Sequence, residues 1–560
     1  MKRLLLLGIV LLGLVLRLTS LDKFPTGFTP DEASFGYDAY SIIHTGKDQW
    51  GVFLPLQLRS FGDFKMPLYS YLAIPTIAVL GLNELAVRLP NALIGSLAVL
   101  VVFFLSKELF EDRKIAYLAS LSLATSPWHI ALSRGAFEAN LTTFFLPLGI
   151  LAFLMGMRDL RWLLISSISF GLNIFSYHTA RFLTPLIILT LVFLYKDRIL
   201  ILFSNSKTKV FATVSVVIIT LFLVVSAALF LVSGTSRNSD IAIFNPTDKW
   251  HSVSERQYQA ILQGFPETFE KIFANKPLFV FRQFLSSYLS YFSPQFLTTQ
   301  GAGEGTYGMI PGRGVLYLIE SIFLLVGLIS IIHKQSFKRK NIIFLLIWIL
   351  ISPLPAAFAK GQGYAANRVA FMIPAIQLLL ALGGIVLYEN ILSKVKSATL
   401  IKILPYAYLA ILVFSLVFFL EDYILHSPIV NSGAMLYGRK EAILYVSGIS
   451  TNYQKIVISR TLSEPHIYLA FYNQIDPAEF QSQSHSWLIY EKENKNFVDQ
   501  LGTYSLGKYT FEDINYQSRT GKGVLLVGKP EEFPDNIKSL KTVYYPNGAK
   551  DLLIVDPTLK

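Results

Sequence analysis

The chain has 560 residues, of which 53% are hydrophobic and only 15% are charged. Soluble domains carry about 25% charged residues, so this composition excludes a mostly soluble protein. The 14% of aromatic residues exclude a disordered chain, which would be polar and poor in aromatics. Without cysteine there is no disulfide and no thiolate metal site, and eight histidines do not suggest a His-rich zinc centre. The composition indicates a polytopic membrane protein.

The net charge of +12 is unevenly distributed along the chain. Residues 421–560 contain 14 Lys and Arg residues against 16 Asp and Glu residues, so the positive excess lies among the apolar segments that precede them. Basic residues between hydrophobic runs act as topology signals in membrane proteins. We therefore expect the membrane as a partner, and no nucleic acid.

Twelve apolar runs are candidates for membrane crossings, which need about 20 residues each. In chain order they lie near 4–20, 67–82, 87–106, 114–132, 140–157, 162–178, 182–195, 210–233, 314–333, 341–358, 368–388 and 401–420. We interpret the first as a retained span and not as a cleaved signal peptide, because Arg17 lies inside it and no small-residue cleavage site follows. The second is doubtful, since it is short and contains Pro67 and Pro75.

The distribution of Lys and Arg decides how the run 67–82 is interpreted. If this run does not cross, the cytoplasmic segments carry 18 Lys and Arg residues and the short outer loops carry 4. A crossing at 67–82 would reverse this bias after the first two spans, against the positive-inside rule. We therefore predict eleven spans, an interfacial or re-entrant helix at 67–82, and large outer segments at 21–86, 234–313 and 421–560.

The tail, residues 421–560, is predicted to be a small extracytoplasmic α/β domain that follows a transmembrane domain at 1–420. Its expected strands, separated by polar turn-like stretches, lie at 455–459, 466–471, 523–527 and 552–555. Pro546-Asn547-Gly548 is a typical turn before the last of them. The predicted fold class is thus an all-α polytopic membrane bundle with a soluble α/β domain at its C-terminal end.

Charged residues gather at the outer ends of the spans, and the first cluster is Thr29-Pro30-Asp31-Glu32. Thr29 as N-cap, Pro30 at the first helical position and Glu32 two residues later predict a helix start with a capping box. That structural role explains Glu32 about as well as a functional one. It explains Asp31 less fully, because the helix dipole only mildly favours an acid there. An ionised Asp31 would suit a general base.

Two single charged residues on the outer face, Lys65 and Glu138, each have two interpretations. Lys65 begins the interfacial run, where an ammonium group commonly reaches for the aqueous boundary, but beside a lipid phosphate it would stabilise a leaving phosphate. Glu138 lies in the outer loop between the third and fourth spans and fits either a helix start or a site carboxylate. The sequence has four further cations on the predicted outer face: His178, Arg181, Lys360 and Arg368. Each of them alone is explained by interfacial anchoring, whereas together they would suit the binding of an anionic lipid donor.

Four features in chain order resemble the GT-C glycosyltransferases, most of all the protein O-mannosyltransferase and aminoarabinose-transferase group of family 39 type. They are Asp31-Glu32 after the first span, Lys65-x-Pro67, Arg88-Leu89-Pro90 at the start of the second span, and Glu138 in the next outer loop. The resemblance extends over residues 1–370. It implies a GT-C bundle of about eleven transmembrane helices, interfacial helices in the first outer loop, an outer soluble tail, and a sugar donor on polyprenyl phosphate.

The resemblance also implies roles for individual residues. By position, Asp31 matches the catalytic base, Glu32 its acidic neighbour, and Lys65 the residue that meets the donor phosphate. Glu138 matches a second acidic position that is often Asp in relatives. Residues expected near the phosphate from topology alone are His178, Arg181 and Arg368.

The implied reaction is one inverting displacement on the outer face of the plasma membrane. Asp31 takes the acceptor hydroxyl proton, the oxygen attacks the anomeric carbon, and polyprenyl phosphate leaves as an anion that cations stabilise. A monophosphate donor requires no cofactor, whereas two carboxylates could hold a divalent cation, so metal use is left open. The acceptor is a hydroxyl of a lipid, a glycan or a protein, and the sequence identifies neither it nor the sugar.

Two other classes of function are compatible with the composition. A transporter or flippase of lipid-linked glycans is disfavoured, because the predicted spans carry almost no ionisable residues apart from Arg17 and Glu320. A scaffold that displays the tail would need neither Asp31 nor Lys65. The glycine-rich loop 300–307 has the composition of a segment that moves over a bound acceptor, although such loops are often merely flexible.

Overall fold

A computed structural model of the protein describes most of the chain. The described residues are 2–60, 64–204, 206–232, 243, 249–333, 338–359, 364–394, 397–493, 495, 498–516 and 523–559. Of the predicted outer-face cations, Lys360 lies outside them, as does part of the outer segment 234–313.

Helices dominate the chain up to residue 421. They are α1 (Lys2–Leu18), α2 (Pro30–Thr45), α3 (Leu68–Leu80), α4 (Glu84–Phe110), α5 (Arg113–Thr125), α6 (Pro127–Arg134), α7 (Thr142–Gly156), α8 (Arg161–Ile174), α9 (His178–Leu194), α10 (Lys196–Ser204), α11 (Ser206–Val232), α12 (Lys249–Leu262), α13 (Glu267–Phe273), α14 (Lys276–Ser290), α15 (Leu318–His333), α16 (Arg339–Ile351), α17 (Leu354–Ala357), α18 (Ile373–Lys394) and α19 (Ala398–Glu421). Each of the twelve apolar runs coincides with one or two of these helices.

Six segments of the described chain are long and apolar enough to cross a membrane: Glu84–Phe110, Glu138–Gly156, Lys209–Leu231, Arg339–Ala357, Ala370–Lys394 and Lys402–Val430. The apolar windows of Lys209–Leu231 and Lys402–Val430 are only 11% and 17% buried within the protein. A large apolar surface of this kind is unfavourable in water, so lipid is the environment that fits these helices. The chain is a multi-pass membrane protein, and the number of eleven spans stays a prediction.

Helix α3 corresponds to the doubtful run 67–82. Its 13 residues rise about 20 Å, which is short of the ~30 Å hydrocarbon core of a bilayer. It packs between α2 and α4, where the Tyr69 hydroxyl donates to the Val87 carbonyl at 2.9 Å and the Ser70 hydroxyl donates to the Phe35 carbonyl at 3.1 Å. This length agrees with a helix that does not cross, and its location at the membrane surface remains a prediction.

A short hairpin leads into α3. Strand β1 (Leu58–Arg59) pairs antiparallel with β2 (Phe64–Lys65), and Leu58 lies opposite Lys65. The hairpin fixes the backbone of Lys65 immediately before the helix, so this side chain has a defined direction in the first outer loop.

The tail contains a six-stranded mixed sheet with short helices around it. The strands are β3 (Lys455–Ser459), β4 (Tyr504–Leu506), β5 (Tyr509–Glu512), β6 (Val524–Gly528), β7 (Lys541–Tyr544) and β8 (Lys550–Val555), in the spatial order β4-β5-β3-β6-β8-β7. The helices are α20 (Ser427–Val430), α21 (Arg439–Ile449), α22 (Pro465–Tyr472), α23 (Pro477–Ser484) and α24 (Ile489–Lys492). The small C-terminal sheet domain predicted from the sequence is therefore present.

One predicted strand of the tail is wrong. The run 466–471 forms helix α22, with Pro465 at its first position. Residues 465–471 are all buried, so their continuous apolar pattern carries no periodicity that separates a buried strand from a short buried helix. The strands predicted at 455–459, 523–527 and 552–555 agree with β3, β6 and β8 within one or two residues.

The tail and the first outer loop share one hydrophobic core. Buried residues of α2, α3 and the start of α4 form a single cluster with the inner face of the tail sheet and with α22. The Tyr468 hydroxyl donates to the Phe28 carbonyl at 2.7 Å, and the Tyr37 hydroxyl donates to the Ile475 carbonyl at 2.9 Å. The tail therefore packs directly against the loop that carries Asp31 and Lys65.

Candidate active site

Asp31 lies in the first turn of α2, and local sequence explains why the helix begins there. The Thr29 side chain accepts a hydrogen bond from the Glu32 backbone N–H at 3.2 Å, and the Glu32 carboxylate accepts one from the Thr29 N–H at 3.1 Å. With Pro30 at the first position, the predicted capping box is confirmed. The Asp31 side chain remains 50% exposed, on the outside of this turn.

Lys65 contacts Asp31 directly. The Lys65 Nζ lies 2.9 Å from the Asp31 Oδ1, and the lysine side chain is only 8% exposed. The ammonium also lies 4.6 Å from the centre of the Phe35 ring, on the next turn of α2, a cation–π contact. The two residues singled out as base and phosphate ligand are thus brought to one place, although 34 positions separate them in the sequence.

Glu32 points the other way, into the protein. Its carboxylate forms a bidentate pair with Arg88, from Nε to Oε1 at 2.8 Å and from a terminal nitrogen to Oε2 at 3.2 Å. Both side chains are at most 1% exposed. Arg88 also donates to three carbonyls of the first outer loop, those of Leu21, Pro25 and Gly27. Glu32 therefore ties the loop to α4 and has no free surface to offer a substrate.

The Glu32 carboxylate also holds the segment that precedes Glu138. The Ala136 backbone N–H donates to the Glu32 Oε1 at 2.9 Å. The Asn91 side chain on α4 donates to the Gly135 carbonyl at 2.6 Å. These bonds place the 3-10 turn Glu138–Leu141 beside the start of α4, and Glu138 is itself half-buried.

The hydroxyl of Tyr307 lies within electrostatic range of three carboxylates, those of Asp31, Glu138 and Glu304. Burial raises the pKa of Tyr307 well above its usual value, with further increases from Tyr177 and then from the charges of the three carboxylates. Tyr307 lies in the glycine-rich loop 300–307, in a 3-10 turn. The loop, the start of α2 and the Glu138 turn therefore converge on one region.

Arg368 lies beside Glu304 in this region. The Asn367 backbone N–H donates to the Glu304 Oε2 at 3.3 Å. Burial raises the pKa of Glu304 to about 7, while the backbone bond from Asn367 and the positive charge of Arg368 lower it. Arg368, a predicted site residue, therefore lies within electrostatic range of Glu304, a carboxylate that the sequence analysis did not single out.

Helix α9 begins at His178, and Arg181 lies in its first turn. A terminal nitrogen of Arg181 donates to the Met66 sulfur at 3.4 Å, one residue after Lys65. His178 is the first residue of α9 and is partly buried, next to Tyr177. The structure therefore joins Arg181 to the Lys65 segment, and His178 contacts the ring of Tyr177.

Comparisons with known proteins identify the fold that carries these residues. Residues 65–227 match the model of the family described as dolichyl-phosphate-mannose-protein mannosyltransferase. The crystal structure of ArnT from Cupriavidus metallidurans in the apo state aligns over 98% of this chain and 97% of its own, with 12% identity and a TM-score of 0.53. ArnT bound to undecaprenyl phosphate aligns over the same shares, with 13% identity and a TM-score of 0.51. The chain has a GT-C glycosyltransferase fold.

Another structure that aligns is the oligosaccharyltransferase AglB from Archaeoglobus fulgidus, with 15% identity, a TM-score of 0.45, and coverage of 88% of this chain and 68% of its own. No curated protein matches the chain by sequence. The ArnT alignments confirm, at the level of the fold, the resemblance to the GT-C group inferred from Asp31, Lys65, Arg88 and Glu138.

Sequence reasoning missed two carboxylates of this region. Glu304 is the one acid in a glycine-rich loop, a weak signal that was read as flexibility. Glu464 comes from the tail, and its charge environment includes Lys65 and Asp31. Nothing in the local sequence Ser463-Glu464-Pro465 distinguishes it from an ordinary helix start.

Among the described residues, one group has three potential metal ligands close together, and it contains none of the predicted site residues. It consists of Glu421, Asp422 and His426, at the junction of α19 and the tail. Asp422 is paired with Arg313, and His426 lies 3.0 Å from Glu421. The suggestion that two carboxylates of the candidate active site hold a divalent cation therefore stays a prediction.

Proposed function

We propose that the protein is an inverting glycosyltransferase that moves a sugar from a polyprenyl-phosphate donor to an acceptor hydroxyl on the outer face of the plasma membrane. The observation that carries this proposal is the contact of 2.9 Å between Lys65 and Asp31. In an in-line displacement the base and the phosphate-binding cation serve opposite faces of one anomeric carbon, so both must belong to one site, and the bound donor separates them. The GT-C fold and the family match over 65–227 support the same reaction class.

The reaction needs one displacement. Asp31 accepts the proton of the acceptor hydroxyl while that oxygen forms a bond to the anomeric carbon. The bond between this carbon and the phosphate oxygen breaks on the opposite face, and its electron pair leaves with polyprenyl phosphate. The configuration at the anomeric carbon is therefore inverted, and no covalent intermediate with the protein forms.

Charge stabilisation of the leaving phosphate is the task of the cations. Lys65 lies nearest to Asp31, and Arg181 is joined to the Lys65 segment through Met66. A donor phosphate that binds Lys65 competes with the carboxylate of Asp31 for the same ammonium. Donor binding thereby releases Asp31 to act as the base. His178 and Arg368 are assigned to donor binding on position alone.

The other two carboxylates have different assignments. Glu32, saturated by Arg88 and two backbone N–H groups, positions Asp31 and the Glu138 turn and does not touch substrate in this proposal. Glu138, half-buried and close to the Tyr307 hydroxyl that Asp31 also influences, is assigned to substrate contact. No step depends on a metal ion, and two carboxylates could hold a divalent cation without changing the displacement.

Transport of lipid-linked glycans is the alternative, and the structure offers it little support. The ionisable groups of the predicted spans are used for structure: the Arg17 guanidinium donates to the carbonyls of Gly13, Ala124 and Leu123, and Glu320 accepts from Ser122 and the Tyr317 N–H. A transport path would need such groups to line a polar passage.

The experiment is to incubate the purified protein with labelled polyprenyl-phosphate sugars and a membrane extract, and to identify what becomes labelled. We expect the wild type to transfer label and Asp31→Asn to bind donor without transfer. Asp22→Asn, an exposed acid of the same loop, is the matched control and should transfer normally. Movement of lipid across vesicles by wild type and Asp31→Asn alike, without label transfer, would support the flippase instead.

A further inference from the structure

Glu464 occupies a backbone position that local physics does not favour. It is the residue before α22, with φ 53° and ψ 51°, and the preceding Ser463 also has a left-handed φ of 55°. N-cap residues are usually Ser, Thr, Asp or Asn in extended backbone, with a side chain that bonds the first turn. Glu464 is none of these and its side chain makes no capping bond. Two consecutive non-glycine residues in this region carry strain that the rest of the fold must overcome.

The carboxyl of Glu464 is also buried without hydrogen bonds. Its side chain is 4% exposed, and neither oxygen has a hydrogen-bond partner among the described residues. The Nδ1 of His466 lies 3.6 Å from Oε2, beyond hydrogen-bond distance. Burial lowers the pKa of His466 to about 3, so at neutral pH this histidine supplies no positive charge. A buried polar group left unsatisfied destabilises a fold, and Glu464 therefore has no structural reason to be a carboxyl.

The position of this carboxyl relates it to the candidate active site. The charges of Lys65 and Asp31 both act on Glu464, although these two residues belong to the first outer loop and Glu464 to the tail. Helix α22 packs against α2, and the Phe471 ring lies 5.0 Å from that of Phe28. The tail thus carries a carboxyl within electrostatic range of the pair that the proposed mechanism uses.

The protonation state of Glu464 suits contact with a hydroxyl group. Burial raises the pKa of Glu464 well above its usual range, and the charge of Asp499 raises it further; Lys65 lowers it and Asp31 raises it. Burial thus favours the uncharged form of this carboxyl, which both donates and accepts a hydrogen bond. Departures from local rules at such a position are typical of functional sites.

We propose that Glu464 is a substrate-contacting residue that the tail contributes to the active site, where its carboxyl hydrogen-bonds to an alcohol hydroxyl beside Asp31. This inference rests on the proposed glycosyl transfer. The hydroxyl belongs either to the donor sugar or to the acceptor, and the chemistry of recognition is the same in both cases. The tail domain would then be a part of the catalytic unit and not an independent appendage.

The test uses the full-length protein in detergent, with Glu464→Leu, Glu464→Gln and the control Glu531→Leu, an exposed glutamate of the tail. One measurement compares affinity for polyprenyl-phosphomannose with affinity for polyprenyl phosphate lacking a sugar. The other is the rate of label transfer at saturating donor, as the amount of membrane extract is varied. Thermal unfolding is followed for each variant.

We expect Glu464→Leu to lose about tenfold in one of the two measurements, and Glu464→Gln, which keeps an uncharged hydrogen-bonding group, to stay within about threefold of wild type. A loss of the preference for the sugar-bearing lipid assigns the hydroxyl to the donor, and a shifted dependence on extract assigns it to the acceptor. Unfolding of Glu464→Leu should occur at or above the wild-type temperature, because an unsatisfied carboxyl has been removed.

Unchanged values in both measurements would overturn the proposal. So would a lower unfolding temperature accompanied by lost binding of polyprenyl phosphate itself, which would make Glu464 a structural residue. If Glu464→Leu does not fold, Glu464→Asp, which withdraws the carboxyl by one methylene, takes its place with the same expectation. Failure of the proposed function is separate: the wild type and Glu531→Leu would then transfer nothing and bind no polyprenyl phosphate.

Discussion

Lys65 and Asp31 form an ion pair whose two members differ in their access to solvent. The Nζ–Oδ1 distance is 2.9 Å, yet the lysine side chain is 8% exposed and the aspartate side chain 50%. The ammonium is anchored from below by the Phe35 ring, while the carboxylate opens outward from the helix start. An anionic lipid that approaches from the membrane can therefore displace Asp31 from Lys65 more readily than it can move Lys65.

Replacement of Lys65 tests donor binding. Lys65→Met keeps the apolar stem and removes the charge, so we expect the affinity for polyprenyl phosphate to fall about 10- to 100-fold, the value of one charge-assisted contact. Direct binding of the lipid to purified protein measures it. Lys47→Met, an exposed lysine of the same loop, should bind as wild type does. If Lys65→Met and wild type bind polyprenyl phosphate with equal affinity, Lys65 does not contact the donor phosphate.

The buried pair of Glu32 and Arg88 predicts a stability effect. Glu32→Gln leaves the Arg88 guanidinium uncompensated at a position that is at most 1% exposed, at a cost of about 3–5 kcal/mol. Asp31→Asn removes a half-exposed partner and should cost no more than about 1 kcal/mol. Thermal unfolding in detergent compares the two. If Glu32→Gln unfolds like wild type and yet loses all transfer, Glu32 takes part in the chemistry and our assignment is incorrect.

Glu138 is expected to matter less than Asp31. Glu138→Gln retains the size and hydrogen-bonding capacity of the side chain, so transfer should fall about tenfold, whereas loss of a general base at Asp31 should cost about 100- to 10,000-fold. Rates with labelled donor under identical conditions give the comparison. Glu108→Gln, a carboxylate at the other end of α4, serves as the control. A larger loss of transfer for Glu138→Gln than for Asp31→Asn would indicate that Glu138 is the base and Asp31 the substrate contact.

Glu304 predicts a pH dependence of stability. Its pKa is raised from the usual 4.5 to about 7 by burial, so the native protein holds a proton that the unfolded chain releases. The stabilisation is complete below about pH 4.5 and is lost as the pH rises through about 7. Its upper limit is roughly 3 kcal/mol, and solvent around the half-buried side chain reduces it.

The measurement for Glu304 is the unfolding temperature of wild type and Glu304→Gln between pH 4.5 and 8. We expect the difference in favour of wild type to shrink across this interval, while the exposed Glu255→Gln runs parallel to wild type. A difference that is constant with pH would mean that Glu304 is ionised throughout.

Part of the site was predictable because its signals are local. The capping box from Thr29 to Glu32 depends on residues three apart, and one helix start satisfies it wherever the helix lies. The apolar runs became helices for a similar reason, since in lipid the backbone must satisfy its own hydrogen bonds. The strand prediction for 466–471 was wrong because this segment is buried on every side, so its packing partners decide whether it is a strand or a helix.

The sequence by itself determined that this is a multi-pass membrane protein, where its long apolar helices lie, and that Asp31 stands at a helix start in a loop resembling GT-C enzymes. Only the tertiary structure decided that Glu32 faces Arg88 while Asp31 faces Lys65, and that the charges of Asp31 and Lys65 act on Glu464 of the tail. The reason is physical. Hydropathy and capping depend on residues that are neighbours in the sequence. The partner of a charge depends instead on the long-range packing of segments that are up to 433 positions apart.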